Sequence, residues 1–495
     1  MTGKTFFPSS NTLTLSIPAF DKGLSLKFDS SLTNMDYAIQ IQNFSFDTGA
    51  LKEGNGFDNL FKYIAKPEEV QTLSNDMANI GSLEKCFYFY KFNQTTLLRE
   101  DKLIFVSQNL EVYYLNLYAQ NKQISKLRNV KFTSIPVCAR YRLNGEDVII
   151  FSSETDNMLV WDGTNTPYEV LDAPHISSMQ VHYERLFATV DGEKNSIWFS
   201  DDLDPTNWSL SLDEAGFIEL IDERGALLKV VSFLDYIYIF REHGISRLSA
   251  FGDQTQFQVS NLFVSSGKII PSSVCVCGDK ILFLASDGLY KFDGVDTVKI
   301  LSNIADGFIG CDNQKAISCF HESSYFLACN FQDKNKTISN TLLEIDSETY
   351  KLKNITTGVE IKDLLSISYG ETSGVVAITK ASAENAFSLS FIVKNGKYFS
   401  NSLKKCWKSP TSDLGNSYEE KVLRRIFVQS DKPIKINVFA DDKEYVYSFD
   451  SSSSLCVKDC VINLHNFAFM IETDQDTCNI KNLKFEFKKL KRRVL

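Results

Sequence analysis

Histidine is scarce in this chain, with five residues in 495. His175 and His182 sit seven apart across a turn, His243 precedes a turn glycine, and His321 and His465 flank strands. None forms a two-histidine helical motif or a ligand pair beside carboxylates, so the pattern of a metalloenzyme is missing. No Gly-x-Ser-x-Gly elbow, phosphate loop or dinucleotide fingerprint occurs, which removes the motif-bearing hydrolases and nucleotide enzymes. No apolar run approaches the roughly 18 residues of a membrane-spanning helix. Met1 to Phe20 lacks the apolar core and small-residue cleavage pattern of a secretion signal. Basic surplus is lacking too. The formal net charge is -10, from 52 Lys and Arg against 62 Asp and Glu, and such a surface opposes non-specific nucleic-acid binding.

What the chain has is aromatic and β-forming residues. Aromatics reach 13%, including 38 Phe and 20 Tyr, beside frequent Val, Ile, Leu, Ser and Thr, a mixture suited to half-buried pleated surfaces. The 11 cysteines are odd in number and scattered, and read as reduced, mostly buried small residues. Cys275 and Cys277 share a strand face without meeting as a disulfide pair should. Cys456, Cys460, Cys478 and His465 match no standard zinc spacing. The one concentrated basic run, Lys488, Lys489, Lys491, Arg492 and Arg493, reads as the solvated end of the last strand, or as a docking tail for an acidic surface.

The first sixty residues form an irregular lead-in, with turns at Ser9 to Asn11 and Lys22-Gly23, a short helix from Asn34 to Gln42, and a strand at Asn43-Phe-Ser-Phe. A second helix is expected from Pro67 to Ile80, opened by Pro67-Glu68-Glu69, and a helical turn near Asn303 to Phe308. Beyond Lys85 a couplet recurs: an apolar strand, a turn with Gly, Asp or Asn, then a strand with Trp, Tyr or Ile. Its clear copies are Val148-Ile-Ile-Phe with Met158-Leu-Val-Trp, Arg185-Leu-Phe-Ala with Ser196-Ile-Trp-Phe, Tyr236-Ile-Tyr-Ile with Gly244-Ile-Ser-Arg, and Lys280-Ile-Leu-Phe with Gly288-Leu-Tyr-Lys. Tyr113, Trp161, Trp198, Ser246, Tyr290, Glu344 and Tyr398 mark the repeat, and most steps approach the roughly 40–50 residues of one propeller blade. The expected fold is all-β: a six- or seven-bladed β-propeller with an N-terminal arm and a C-terminal β-sandwich. Its divisions are 1–60 for the arm and lead-in, 61–400 for the propeller and 401–495 for the sandwich. One or two β-sandwiches are the alternative.

The conspicuous single residues read as turn and packing elements: Trp161, Trp198, Asp204, Pro205, Trp208, Gly288, Tyr290, Gly294 and Trp407. Clustered carboxylates at Asp201-Asp-Leu-Asp-Pro205 could bind calcium or flank a glycosidic bond, but Asp204-Pro205 sets a turn that lets Trp208 cover its sheet. Arg185, Arg224, Arg241 and Arg247 supply the residue type for a carboxylate-binding cluster, although nothing in the sequence brings them together. No catalytic, cofactor-binding or metal residues are assigned, no cofactor is expected, and the chain reads as a non-enzyme.

Several segments resemble the β-propeller proteins of tailed-bacteriophage or prophage tails and necks, including the nozzle or tubular proteins of short-tailed phages. They are Val181-His-Tyr-Glu-Arg-Leu-Phe-Ala-Thr with Asn195-Ser-Ile-Trp-Phe-Ser200-Asp-Asp-Leu-Asp-Pro-Thr-Asn-Trp208; Gly278 to Gly294; Phe20-Asp-Lys-Gly23 with Ile41 to Lys52; and Trp407-Lys-Ser409 through Asp413-Leu-Gly415, then Lys421 and Asp441-Asp442. The resemblance implies a virion structural component made in the host cytoplasm, forming a homo-oligomeric ring in the head-tail connector. Its partners would be adjacent tail, adaptor or portal proteins, with DNA passing through the lumen without sequence recognition. A carbohydrate-active propeller, hydrolase or lectin, and a protein-interaction propeller are the alternatives.

Overall fold

Short runs of alternating or wholly apolar residues, each stopped by a turn residue, leave the chain little choice but antiparallel hairpins. In the computed structural model, which describes residues 12–27, 29–93, 98–211, 214–381 and 384–490, these hairpins chain into successive open sheets. Five have four strands each. The first sheet holds Leu83–Asn93, Leu98–Ser107, Glu111–Asn116 and Ile124–Lys131, and the second runs from Val137–Leu143 to Tyr168–Val170. The third runs from Ile176–His182 to Gly216–Glu219, the fourth from Leu227–Phe233 to Gln258–Val264, and the fifth from Cys275–Cys277 to Thr297–Ile300. All are built from nearest-neighbour pairings.

The remaining sheets are not local. Ile317–His321, Ser324–Gln332, Ile338–Asp346 and Leu352–Thr357 form a sixth meander, which continues through Phe44–Ser45 and Leu51–Glu53 into Asn479–Lys489, Lys421–Ser430 and Ser452–Leu464. With Thr12–Ile17 on Asn479–Lys489, this makes one sheet of ten strands. A seventh, six-stranded sheet starts with Val359–Tyr369, Thr372–Ala381 and Ser388–Val393, then takes in Gly56–Asn59. An eighth sheet of five strands joins Gln40–Gln42 and Lys405–Lys408 to Phe467–Thr473, Ile434–Ala440 and Lys443–Phe449.

The propeller with a separate arm and sandwich is therefore corrected. Among the described residues no sheet closes into a barrel, propeller or solenoid; the chain is all-β, with several small antiparallel sheets and one large one. Nor does the N-terminal segment lie apart as an arm, because its strands fill edges several hundred residues away in sequence. Phe44 pairs with Ile355 and with Glu53, and Phe57 pairs with Ile392. Open strand edges are satisfied by remote segments instead of by closure. Couplet spacing carries no information about such pairings.

Local expectations fare unevenly. The helix Pro67–Ile80 forms, with Glu69 accepting from the Lys66 backbone N–H at 3.0 Å. No helix forms over 34–42. Ile41 is instead buried opposite Trp407 in the strand Gln40–Gln42, since one short amphipathic stretch cannot outbid a sheet edge waiting to be paired. The expected turn at Ser9 to Asn11, and Lys491, Arg492 and Arg493 of the basic run, lie outside the described residues.

The eighth sheet and the C-terminal strands of the ten-stranded sheet face one another across an aromatic core. Phe467 meets Phe485 and Phe487 at 4.9 and 5.0 Å between ring centroids, Phe469 meets Phe485 at 4.9 Å, and Trp407 stacks on Phe469 at 5.3 Å. Phe20 packs edge-on against Trp407 at 5.2 Å, tying the N-terminal segment to this core. The Phe485→Ala variant should lose about 3–5 kcal/mol of stability, read as a lower urea midpoint. An unchanged midpoint would show that this aromatic cluster does not hold the layers together.

Candidate ligand-binding cavity

The first strand of each meander is its inner strand. Val137–Leu143 packs on Ile176–His182, which packs on Leu227–Phe233; Cys275–Cys277 packs on Ile317–His321, which packs on Val359–Tyr369, and that strand contacts Leu83–Asn93. Between them lies a cavity of about 830 Å3, reached by residues of six of these sheets and of the turn Pro271–Ser273 that leads into the fifth, among them Lys85, Val137, Ser178, Lys229, Ser272, Ser318 and Leu364. That volume is in the range of small-molecule sites.

A repeated local device aims polar groups at this space. Four of the inner strands carry a register shift near their start, between Leu83 and Lys85, Ile176 and Ser178, Leu227 and Lys229, and Ile361 and Asp363. A β-bulge puts two residues opposite one and re-aims the side chain that follows. In each case that residue is polar, and Lys85, Ser178 and Lys229 reach the cavity wall directly. The fourth, Asp363, is buried and holds Lys85: its Oδ1 accepts from Lys85 Nζ at 2.7 Å and its Oδ2 from the Cys86 backbone N–H at 2.8 Å. Burial works against the Lys85 ammonium, but the Asp363 carboxylate outweighs it and raises the lysine pKa.

Lys229 has no such partner. Its Nζ donates to the Val274 carbonyl at 2.7 Å, and no carboxylate lies within ion-pair distance among the described residues. Burial, reinforced by the positive charge of Lys85 and opposed by Cys275, pulls its pKa down from 10.5 to about 8. The Cys275 thiol is itself lowered, first by a hydrogen bond from Cys277 and then by Lys229, against the effect of burial. Cys138, also on the wall, is pushed up to about 12 by burial. At the mouth the charges are mixed. Glu154, Asp191, Glu193 and Lys194 lie there, with Lys268 paired to Glu242 at 2.9 Å.

No protein-family model matches the chain, and no curated protein matches it. Among solved structures, it is similar to BBS1N, crystallised in complex with ARL6DN, at 10% identity over 63% of this chain and 97% of that one, with a TM-score of 0.40. It is also similar to PorZ, a surface component of the type-IX secretion system of Porphyromonas gingivalis, at 11% identity, 74% of this chain and 45% of that one, TM-score 0.37. A third is YjhT, at 10% identity, 52% and 94% coverage and TM-score 0.31. Likenesses this distant transfer no activity to the chain. None of the three is a phage tail or neck protein, and the expected phage-family resemblance, with its connector function around DNA, is corrected accordingly. The quoted segments describe hairpins, and any chain of short antiparallel meanders contains them.

The residues singled out in the sequence occupy turns and interfaces, most of them away from the cavity. Trp161 is buried and donates Nε1–H to the Asn165 carbonyl at 2.8 Å. Asp204 accepts from the Thr206 N–H and hydroxyl, and the Pro205 carbonyl accepts from Trp208 Nε1 at 3.0 Å, so the acidic segment closes on itself as a turn. Gly288 and Gly294 adopt φ of 144° and 101°. Any Cβ at Gly288 would meet the Lys299 side chain at 2.6 Å. Tyr290 donates to Asp287 at 2.6 Å, and Trp407 is wholly buried in the aromatic core. Trp198 does not line the cavity but reaches a residue that does. It stacks on Phe217 and donates to Glu193 at 2.7 Å, fixing a carboxylate at the mouth.

The arginines do not converge. Arg241 and Arg224 share Asp222, Arg185 binds Glu214, and Arg247 lies over Tyr236. The histidines stay dispersed, with His182 bonded to Ser232 and His321 to Ser366, and no metal-ligand cluster occurs among the described residues. Of the four lysines that line the cavity, neither of the inner two, Lys85 and Lys229, was singled out in the sequence. The signal was present as a polar residue two places after an apolar one near the start of three of the bulged inner strands: Leu83-Glu-Lys85, Leu227-Leu-Lys229 and Ile361-Lys-Asp363.

Lys229 also marks stability with a pH signature. Its folded pKa lies below its unfolded one, so the unfolded chain binds more protons between about pH 8 and 10.5, and the cost of burying the ammonium fades as pH rises through that window. The Lys229→Met variant should therefore have a higher urea midpoint than the parent at pH 7, and the gap should narrow by pH 9.5. A gap independent of pH would mean that Lys229 is not strained by burial.

Proposed function

We propose that this protein binds a small anionic molecule, carrying a carboxylate or phosphate, in the cavity between its inner strands, and that it acts as a binding protein and not as an enzyme. The observation that carries this reading is Lys229, an ammonium turned toward the cavity by a β-bulge and left without a carboxylate. Half-buried, it bears part of the desolvation cost of a buried charge, and an anionic ligand is the partner that would relieve it. Lys85, already neutralised by Asp363, supplies a second set of N–H donors without adding a large net charge. Ser178 and Ser318 give uncharged hydrogen-bonding groups on the same wall. The hydroxyl of Ser178 accepts from the Val230 N–H at 3.2 Å, and that of Ser318 donates to the Ser273 carbonyl at 2.8 Å, so both are held in place by neighbouring strands.

The mixed-charge mouth favours a compact ligand over a polyanion. A nucleic acid would meet Glu154, Asp191 and Glu193 before reaching either interior lysine.

Isothermal titration with citrate, oxalate, glycerol phosphate and pyrophosphate tests the proposal. At least one should bind with a stoichiometry near one per chain and weaken with added salt. Lys229→Met should cost roughly 10–100-fold in affinity, the worth of one charge-assisted hydrogen bond. Uniformly absent binding, or binding that Lys229→Met leaves unchanged, would overturn the reading.

A further inference from the structure

We infer that Lys229 is a covalent capture point: its amine condenses with the carbonyl group of an aldehyde or keto acid held in the cavity. This rests on the cavity being an anion site, and names the ligand class more narrowly, as an anion that also bears a reactive carbonyl.

Three features of the site are those an imine-forming lysine needs. The first is partial burial. Lys229 is half-buried, facing the cavity from the inner strand of the fourth sheet, where the charged form of the amine is disfavoured. The second is a further amine on the same wall. Lys85 also lines the cavity, and although Asp363 offsets most of its charge, what remains adds to burial in favouring the neutral, nucleophilic form of Lys229. The third is the lack of a carboxylate partner, because an ion pair would hold the proton on nitrogen. The single tie to the Val274 carbonyl uses one N–H and fixes the direction of the nitrogen.

The titratable groups around Lys229 are Lys85 and Asp363 from the first and seventh sheets, Cys138 from the second, and Cys275 from the strand that follows Val274. At the mouth stand the Glu242–Lys268 pair and the carboxylates of Glu154, Asp191 and Glu193, with Lys194 exposed among them. With a pKa of about 8, a usable share of Lys229 is neutral at physiological pH, whereas exposed lysines near 10.5 are almost wholly protonated. The step balances without an oxidant or reductant. The ammonium gives its extra proton to solvent, the nitrogen lone pair adds to the carbonyl carbon, and the carbinolamine loses water to leave a C=N bond. The ligand's anionic group is left to the Lys85 and serine side of the cavity.

Glyoxylate, which joins an aldehyde to a carboxylate, is the probe, with sodium borohydride to reduce the imine to a stable secondary amine and peptide mass spectrometry to locate it. One adduct per chain is expected, at Lys229, at glyoxylate concentrations that leave exposed lysines largely unmodified. Raising pH from 6.5 to 8.5 should increase it less steeply than the labelling of exposed lysines, because Lys229 nears full deprotonation within that window while lysines near 10.5 gain about a hundredfold in neutral amine. Lys229→Arg keeps the charge but cannot form an imine, so it should lose the adduct while still binding oxalate. Labelling of wild-type protein spread evenly over surface lysines would overturn the inference, and this measurement needs no variant to fold. Oxalate binding without a glyoxylate adduct would sink the covalent step alone; absence of both would sink the anion site as well.

Discussion

The three largest sheets of this molecule, and the joins between its ends, depend on strand edges being paired by segments far away in the chain. A short antiparallel sheet has two rows of unsatisfied backbone groups, and leaving them bare invites either water penetration or aggregation. Here Gly56–Asn59 enters beside Ser388–Val393, and Phe44–Ser45 bridges Leu352–Thr357 to Leu51–Glu53. Residue 56 must be glycine for this to happen, since a Cβ there would fall 2.4 Å from the Lys397 carbonyl oxygen. Gly54 is similarly pressed against the Asn43 carbonyl, at 2.6 Å from a Cβ. The two glycines let the N-terminal segment thread between sheets whose hairpins were complete without it. Polar groups finish the join: Asn43 donates to the Lys404 carbonyl, and Asn55 to Glu344, which also accepts from Ser324.

The inner strands also carry irregularities. A bulge weakens a ladder locally. Four inner strands nonetheless contain one at nearly the same place, and the residue after it turns polar. The outcome is an electrostatic contrast across a few strands. Asp363 is buried to serve Lys85, and Lys229 is left to solvate itself on a single carbonyl. A chain selected only for stability would fill such a position with an apolar residue of similar size. Keeping an ammonium there gives the cavity a preference for negative charge, and its depressed pKa gives the amine chemical character.

Much of the local structure was legible from the residues. Strand couplets such as Arg185–Val190 with Ser196–Phe199 and Lys280–Ala285 with Gly288–Phe292 stand where alternation and turn residues put them, and the helix Pro67–Ile80 starts at its proline. Hairpin formation is decided by neighbours in sequence, so it leaves a readable trace. The assembly of the hairpins left none. Their even spacing suggested propeller blades, but spacing alone cannot say which edge a two-residue strand such as Phe44–Ser45 will pair with. Similar hairpin phrases also suggested a phage family, a resemblance the distant structural neighbours do not share.

By itself, the sequence determined that the chain is built of antiparallel β-hairpins, that its aromatics form buried clusters, and that its histidines and arginines are too dispersed in the chain to spell out a familiar active site. Only the tertiary structure decided that Lys85, Lys229 and Asp363 belong together. They are separated by well over a hundred residues in sequence, and each is an unremarkable polar residue near the start of a strand. What unites them is a bulge in each inner strand and the packing of those strands around a common space. Both depend on the positions of whole sheets, which no local pattern of side chains encodes.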